Sequence, residues 1–380
     1  MTGRRGDGAT GRSNIQHPTS NIQKVVIAMS GGVDSSVAAA MLAQEGYDVI
    51  GITMQIWPST TEPEETFRRS CCSVSAIDDA RRVAAKIGIP HYTLNFRDIF
   101  QQMVVDDFIE EYRRGRTPNP CIRCNRLVKF EALLEKARAY GAEYIATGHY
   151  ARINYDENKK RWLLKRGIDN SKDQSYALYG MTQHQLAHTL MPLGNMAKDE
   201  TRRLAANLGL SVAAKPESQD ICFVEGRNYP AFLEEVAPEM AKPGPILDIM
   251  GNTIGEHKGI GFYTVGQRRR LGIAAGEPLY VVRIDPERNA IIAGSNADLL
   301  AKSLIASNLN WVSIEQLTKQ IAVTAKIRYN MKDSEALLTP LASGEAQVEF
   351  EKPQRAITPG QAAVFYDGED VVGGGTIDRD

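Results

Sequence analysis

The sequence predicts an α/β protein: a doubly wound parallel sheet in the N-terminal half, then a small β-rich module, then a C-terminal β-barrel. Three observations carry this. Short apolar runs alternate with amphipathic or Ala-rich stretches through the first 150 residues, the pattern of right-handed β–α–β crossovers. After Cys222 the character changes to short β runs separated by turns. The 380 residues exceed one ordinary core, and at roughly 150 residues per domain they call for two or three domains.

Lys24–Met29 is an apolar run entering a Gly turn, which suits a buried strand. Ser35–Glu45 is Ala-rich and closed by Gly46, a helix. Tyr47–Met54 is the second strand. Ser73 caps a helix over Val74–Ile87, stopped by Gly88 and Pro90. His91–Phe96 is the third strand, and Asp98–Tyr112 is an amphipathic helix. Thr117–Cys124 is expected to be irregular, because two prolines bracket Asn119. Asn125–Tyr140 is helical and closed by Gly141. Tyr144–Ala146 starts another strand, followed at once by Thr147-Gly148-His149.

Pro243-Gly244-Pro245 is read as a linker or tight turn. Beyond it come β runs at Pro278–Ile284, Ala290–Ala293, Ile321–Arg328, Ala336–Leu341, Gln347–Phe350 and Ala362–Tyr366, with Gly373–Gly375 as punctuation. The expected division is a disordered tail over 1–20, a catalytic domain over 21–225, a central β-rich domain over 226–300 and a barrel domain over 301–380. The tail is rich in Gly, Arg, Ser and Thr. A transit peptide would need an apolar face that it lacks.

Apolar residues are 43% and charged residues 24% of the chain, a globular composition. No apolar run reaches membrane-spanning length, and a cytoplasmic location is expected. The formal net charge of −1 means that a nucleic-acid partner would need a local basic face, such as one containing Arg268-Arg269-Arg270. The five cysteines, Cys71, Cys72, Cys121, Cys124 and Cys222, are odd in number and follow no secretory signal. Reduced, reactive or metal-binding thiols are expected rather than a disulfide framework.

Ser30-Gly31-Gly32-Val33-Asp34-Ser35-Ser36 lies between a buried strand and a helix. Its glycines let the backbone approach an anion, and the helix N-terminus supplies N–H donors and partial positive charge. Asp34 would repel phosphate unless a cation intervenes, which points to Mg²⁺. The spacing of a P-loop is absent. Cys121-Ile122-Arg123-Cys124 is a CxxC, and Cys222 follows about a hundred residues on. Such a set could be a zinc half-site, a redox dithiol or cluster ligands. Cys124 is expected to precede a helix, where its thiol pKa would fall. Cys71 and Cys72 receive no catalytic role. His184 and His188 have metal-binding spacing without further ligands, so a surface or core role is expected.

The Ser30 loop resembles the pyrophosphate loop of the ATP pyrophosphatase (PP-loop) superfamily. The strings AMSGGVDSSVAA, TPNPCIRCN, ATGHYAR, KDQSYALY, SQDICF, GEHKGIGFYTVGQRRRLGI and TPGQAAVFY, in this order, are together similar to the bacterial tRNA-specific 2-thiouridylases from about Lys24 onward. The resemblance implies a Rossmann-like N-terminal domain of the adenine nucleotide alpha hydrolase type. It implies a tRNA-uridine 2-sulfurtransferase that adenylates O2 of the wobble uridine in tRNAs for Lys, Glu and Gln and places sulfur at C2. ATP and Mg²⁺ would be required, with a cysteine desulfurase or sulfur relay protein as donor. By motif, Ala28, Met29, Ser30, Gly31, Gly32, Val33, Asp34, Ser35, Met54 and Gly148 would contact ATP. Cys124 and Cys222 would be catalytic, with Cys222 carrying the persulfide. Asn119, Pro120, Cys121, His149, Lys172, Asp173, Gln174, Arg328, Tyr329 and Gln361 would meet tRNA.

Some members of that family carry Asp where this chain has Cys121. A branch with CxxC is associated with a 4Fe-4S cluster, for which Cys121, Cys124 and Cys222 match the ligand pattern. The cluster and the persulfide–disulfide route both remain open for these thiols. Two other readings are an adenylating ligase or amidotransferase, which would not need the three cysteines, and a nucleotide or iron–sulfur sensor without turnover.

Overall fold

The computed structural model describes residues 22–56, 74–216, 221–224, 228–273 and 276–378. The expected tail, Ser73, Cys71 and Cys72 lie outside the described residues. Strands β1 (Lys24–Ala28), β2 (Asp48–Gln55), β3 (His91–Asn95) and β4 (Tyr144–Ala146) are parallel. Thr189–Leu190 adds a short fifth strand beside β4, giving the order β3-β2-β1-β4-(189–190). Helices α1 (Val33–Gln44) and α2 (Val74–Ile87) make the crossovers between β1, β2 and β3.

Alternation along β1 separates two cores. Val25 and Ile27 join Val37 and Leu42 of α1 and Val83 of α2 in one cluster. Val26 faces the other way, with Ile52, Phe96, Phe100, Phe108 and Phe130. A sheet buried on both faces needs such continuous apolar strands, which is why they were legible as runs rather than alternations. The chain leaves β1 towards β2 on one side, whereas β4 lies on the other. The crevice beyond the carboxyl ends of β1 and β4 is therefore the topological switch point, where ligands of such sheets bind.

Two helical stretches cover the second core. Residues 97–113 are one helix with a π turn over Gln101–Val105. The second starts at Pro120, earlier than expected: Pro120–Arg123 is helical and runs on through Cys124–Ala132 and Leu133–Ala139. Proline at the first helical position starts a helix as readily as it breaks one. Asn119 caps it, its Oδ1 accepting from the Ile122 N–H at 3.4 Å. Cys124 thus sits inside the helix rather than ahead of it, and Cys121 occupies the first turn.

Gly244–Leu247 is a strand rather than a linker, pairing with Thr253–His257 and with Ala290–Gly294 in a four-stranded sheet completed by Tyr280–Asp285. Six strands then form a closed antiparallel barrel, because Leu300–Trp311 pairs with both Ala346–Arg355 and Asp370–Ile377. Gly373–Gly375 lies within that closing strand rather than between strands. An added Cβ at Gly373 would stand 2.4 Å from the Asn310 carbonyl, and one at Gly374 would stand 2.6 Å from the Tyr179 ring. The glycines allow the seam to close against the N-terminal domain. A hairpin of that domain, Ala151–Asp156 and Arg161–Arg166, extends the barrel sheet beyond Asp370–Ile377.

Candidate active site

Of the two phosphate-loop glycines, Gly31 is the one that its backbone and surroundings require. Gly31 has φ +65°, and a Cβ there would lie 2.1 Å from the Ala76 carbonyl oxygen at the start of α2. Gly32 is the extended N-cap of α1. The Ser30 N–H donates to Ser35 Oγ at 3.2 Å, and Ser36 Oγ donates to the Gly32 carbonyl at 2.8 Å. The loop is thereby folded back onto the start of α1, where N–H groups lack helical partners. Gly148, after β4, packs against this turn, and a Cβ there would be 2.6 Å from Ser35 N. Ala28, Met29 and Met54 end β1 and β2 on the same side. The expected nucleotide residues are therefore gathered at the switch point.

Asp34 already has cationic company. Lys198 Nζ lies 2.8 Å from both carboxylate oxygens, and the Tyr150 hydroxyl donates to Oδ1 at 2.8 Å. Lys215 reaches the same loop from further along the chain, donating to the Gly31 carbonyl at 2.9 Å and to Asp79 at 2.8 Å. None of Tyr150, Lys198 or Lys215 is among the site residues expected from sequence. Tyr150 directly follows Gly148-His149 and was the one with a local signal.

The two cysteine segments are held by neighbouring residues of helix 97–113. Arg123, next to Cys124, pairs with Asp107 at 2.9 Å. Phe223, next to Cys222, packs edge-on against Phe108 and Phe100, with ring centroids 5.0 and 5.8 Å apart. Cys124 and Cys222 are both half-buried against the same hydrophobic cluster, whereas Cys121 is exposed.

A profile described as the tRNA methyl transferase HUP domain matches residues 23–226. A tRNA methyl transferase PRC-barrel domain profile matches 230–295, and an aminomethyltransferase beta-barrel profile matches 301–377. The tRNA-specific 2-thiouridylase MnmA of Acetivibrio thermocellus is 56% identical over 93% of this chain and 99% of its own length. That of Pelotomaculum thermopropionicum is 58% identical over 93% of this chain and 97% of its own. The chain belongs to the MnmA family. A solved 4-thiouridine synthetase–RNA complex with bound ATP aligns over 57% of this chain and 50% of its own at 17% identity, with a TM-score of 0.34.

In this MnmA-family chain the residues expected to meet tRNA, His149 apart, fall into two groups. Asn119, Pro120 and Cys121 form the helix start just described, and the barrel holds the segment before it. Gln361 Nε2 donates to the Thr117 and Pro118 carbonyls at 2.9 and 3.2 Å, and the Thr117 N–H donates to the Pro359 carbonyl. The others lie where the barrel meets the N-terminal domain. Arg328 donates to the Ala356 carbonyl and Thr358 Oγ1, while Tyr329 is exposed beside Tyr176. Lys326 stands over both tyrosine rings, and burial lowers its pKa. Asp173 is buried and accepts from the Gly167 and Ser175 N–H groups, and Gln174 accepts from the Tyr150 N–H. Lys172 is half-buried in the turn that begins at Asp169.

His149 is half-buried, its Nδ1 2.8 Å from the Thr147 hydroxyl and its ring 5.8 Å from Phe130. Burial, and then Lys129, hold its pKa well below the usual value, so the folded imidazole stays neutral. Unfolding lets it take a proton below about pH 6.5. The stability from a neutral His149 is thus present above that pH and lost as pH falls towards the folded pKa. The urea midpoint is expected to fall between about pH 7.5 and pH 5.5, and to fall less in His149→Gln. The remaining slope belongs to groups such as His91 and His257, which burial shifts in the same direction.

Mg²⁺ would be held largely by the phosphates of ATP and needs no cage of side chains, whereas a cluster would need a grouped set of thiolates. Mg²⁺ was expected as the cation beside Asp34, but Lys198 takes that place. Among the described residues no three His, Cys, Asp or Glu side chains are grouped to hold a metal ion, and Cys121, Cys124 and Cys222 are no exception. His184 and His188 lie with ring centroids 4.4 Å apart, but Arg138 donates to His184 Nε2 at 2.8 Å. Among the described residues no helix is long and apolar enough to cross a membrane.

Proposed function

We propose that this chain is an ATP-dependent tRNA-uridine 2-sulfurtransferase that makes 2-thiouridine at the wobble position of tRNAs for Lys, Glu and Gln. ATP binds with its terminal phosphates on the Ser30–Ser36 loop, where Mg²⁺, when bound with the nucleotide, would offset the charge on the departing pyrophosphate. The uridine O2 attacks the α-phosphorus, pyrophosphate leaves, and a poor leaving group becomes AMP. A donor protein loads Cys222 with a sulfane sulfur. The terminal sulfur of that persulfide attacks C2 and AMP departs, leaving the base joined to Cys222 through an S–S bond. The Cys124 thiolate then attacks Cys222 Sγ, so that 2-thiouridine leaves with its sulfur and a Cys124–Cys222 disulfide remains for reduction.

The observation that carries this reading is the tethering of both cysteine segments to adjacent residues, Asp107 and Phe108, of one helix. It is supported by relatives that match along almost the whole chain. Asn125, beside Cys124, has a buried Oδ1 without a hydrogen-bond partner while its Nδ2 donates to the Ala177 carbonyl. The base must leave the anticodon stack to reach the cysteines.

The test is a reaction of purified chain, unmodified tRNA, ATP and a persulfide donor. Pyrophosphate release should require tRNA, and nucleoside mass spectrometry should find one 2-thiouridine per tRNA. Pyrophosphate release with ammonia or an amino acid in place of tRNA would instead support an amidotransferase or ligase. For the cluster route, Cys121 would be the third ligand. An anaerobically purified, colourless, iron-free enzyme that thiolates tRNA would exclude it.

A further inference from the structure

Asp34 lies in the first turn of α1, where the loop has to receive a polyphosphate. A carboxylate there opposes an incoming polyanion, and a neighbouring cation removes the opposition. Lys198 is placed for this. It comes from the start of helix Lys198–Asn207, which packs on α1, and its side chain is only 8% exposed. Its ammonium divides between the two Asp34 oxygens and stands 5.5 Å over the Tyr150 ring. Tyr150 in turn bonds Asp34, and its hydroxyl is 2.9 Å from Thr201 Oγ1 on the same helix. The backbone N–H of Lys198 is held by Asp169 at 3.0 Å. A buried lysine fixed at both ends is unlike a surface ion pair, whose partners are solvated.

We propose that Lys198 is a positioning residue of the phosphate site: it neutralises Asp34 so that the loop accepts ATP before any metal is bound. This rests on the reading of Ser30–Ser36 as the ATP loop. The lysine acts through Asp34, not by touching phosphate.

The experiment is equilibrium binding of ATP to the full chain, in chelator and in excess Mg²⁺, for wild type, Lys198→Met, Lys198→Arg, Asp34→Asn and the Lys198→Met/Asp34→Asn double variant. Folding is checked by thermal melting. In chelator, Lys198→Met should lose about 10-fold or more in affinity, and Mg²⁺ should narrow the gap. Lys198→Arg, which keeps the charge, should bind close to wild type. Asp34→Asn should bind metal-free ATP at least as well as wild type, and the double variant should recover to within about 3-fold of it. A Lys198→Met protein that binds metal-free ATP like wild type would overturn the proposal. So would a double variant as weak as Lys198→Met, which would place the ammonium on the phosphate itself. If wild type bound no ATP even with Mg²⁺, the loop assignment would fail, and that result is distinguishable from both.

Discussion

Cys222→Ser is expected to lower tRNA thiolation by about 10³-fold or more while leaving equilibrium ATP binding unchanged. A serine oxygen fills nearly the same space but cannot carry the transferable sulfur. The substitution should also leave the fold intact, because it is Phe223 that anchors this segment, packed among Phe100, Phe108 and Phe232. Cys124→Ser should stop the reaction one step later. It should trap tRNA on Cys222 through a bond that a thiol reductant cleaves, visible as a shifted band on a non-reducing gel. Full activity in Cys222→Ser would mean that sulfur reaches the base by another route. Cys121→Ser, at an exposed position, should retain activity by the persulfide route and lose it by the cluster route.

Gly31→Ala should have the next largest effect, on the other half-reaction. The positive φ alone costs about 1–3 kcal/mol for a residue with a side chain. The methyl carbon would also sit 2.1 Å from the Ala76 carbonyl oxygen. Neither the loop nor the start of α2 is a flexible side chain that can step aside, so the loop must reshape. ATP affinity is expected to fall by about 10-fold or more, with a thermal midpoint lower by several degrees. Gly46→Ala is the control. Its φ is +89°, yet nothing lies within 4 Å of the added carbon. It should lower the midpoint and spare ATP binding. Equal loss of ATP affinity in the two variants would mean that the Gly31 backbone is not what shapes the phosphate site.

The parallel sheet and the phosphate loop were legible because their determinants are local. A short apolar run, two glycines, serines and the start of a helix lie within about twenty residues of one another. The helix at Pro120 was misread for an equally local reason, since proline punctuates both the beginnings and the ends of helices. Gly373–Gly375 was read as a break because the neighbours that make glycine necessary, Asn310 and Tyr179, are remote in sequence. The hairpin over 151–166 escaped because its strands carry charged residues at the edge of a sheet that belongs mostly to the barrel.

At the site, the residues proposed to carry the chemistry can be singled out from sequence, and their supports cannot. Cys124, Cys222 and Asp34 stand in recognisable strings. Lys198, which sets the charge at Asp34, is 164 residues away and lies in an ordinary helix start. Asp107 and Phe108, which contact the residues next to Cys124 and Cys222, look like any acidic and aromatic pair on an amphipathic helix. Tertiary contacts alone give these residues their roles.

The most direct measurement is nucleoside mass spectrometry of tRNA from cells that lack this chain, with complementation by wild type and by Cys124→Ser. The expected result is loss of 2-thiouridine from the wobble position, restored by the wild-type chain and not by the variant. Wobble 2-thiouridine at full level in cells without the chain, with no second copy of the gene present, would contradict the assignment.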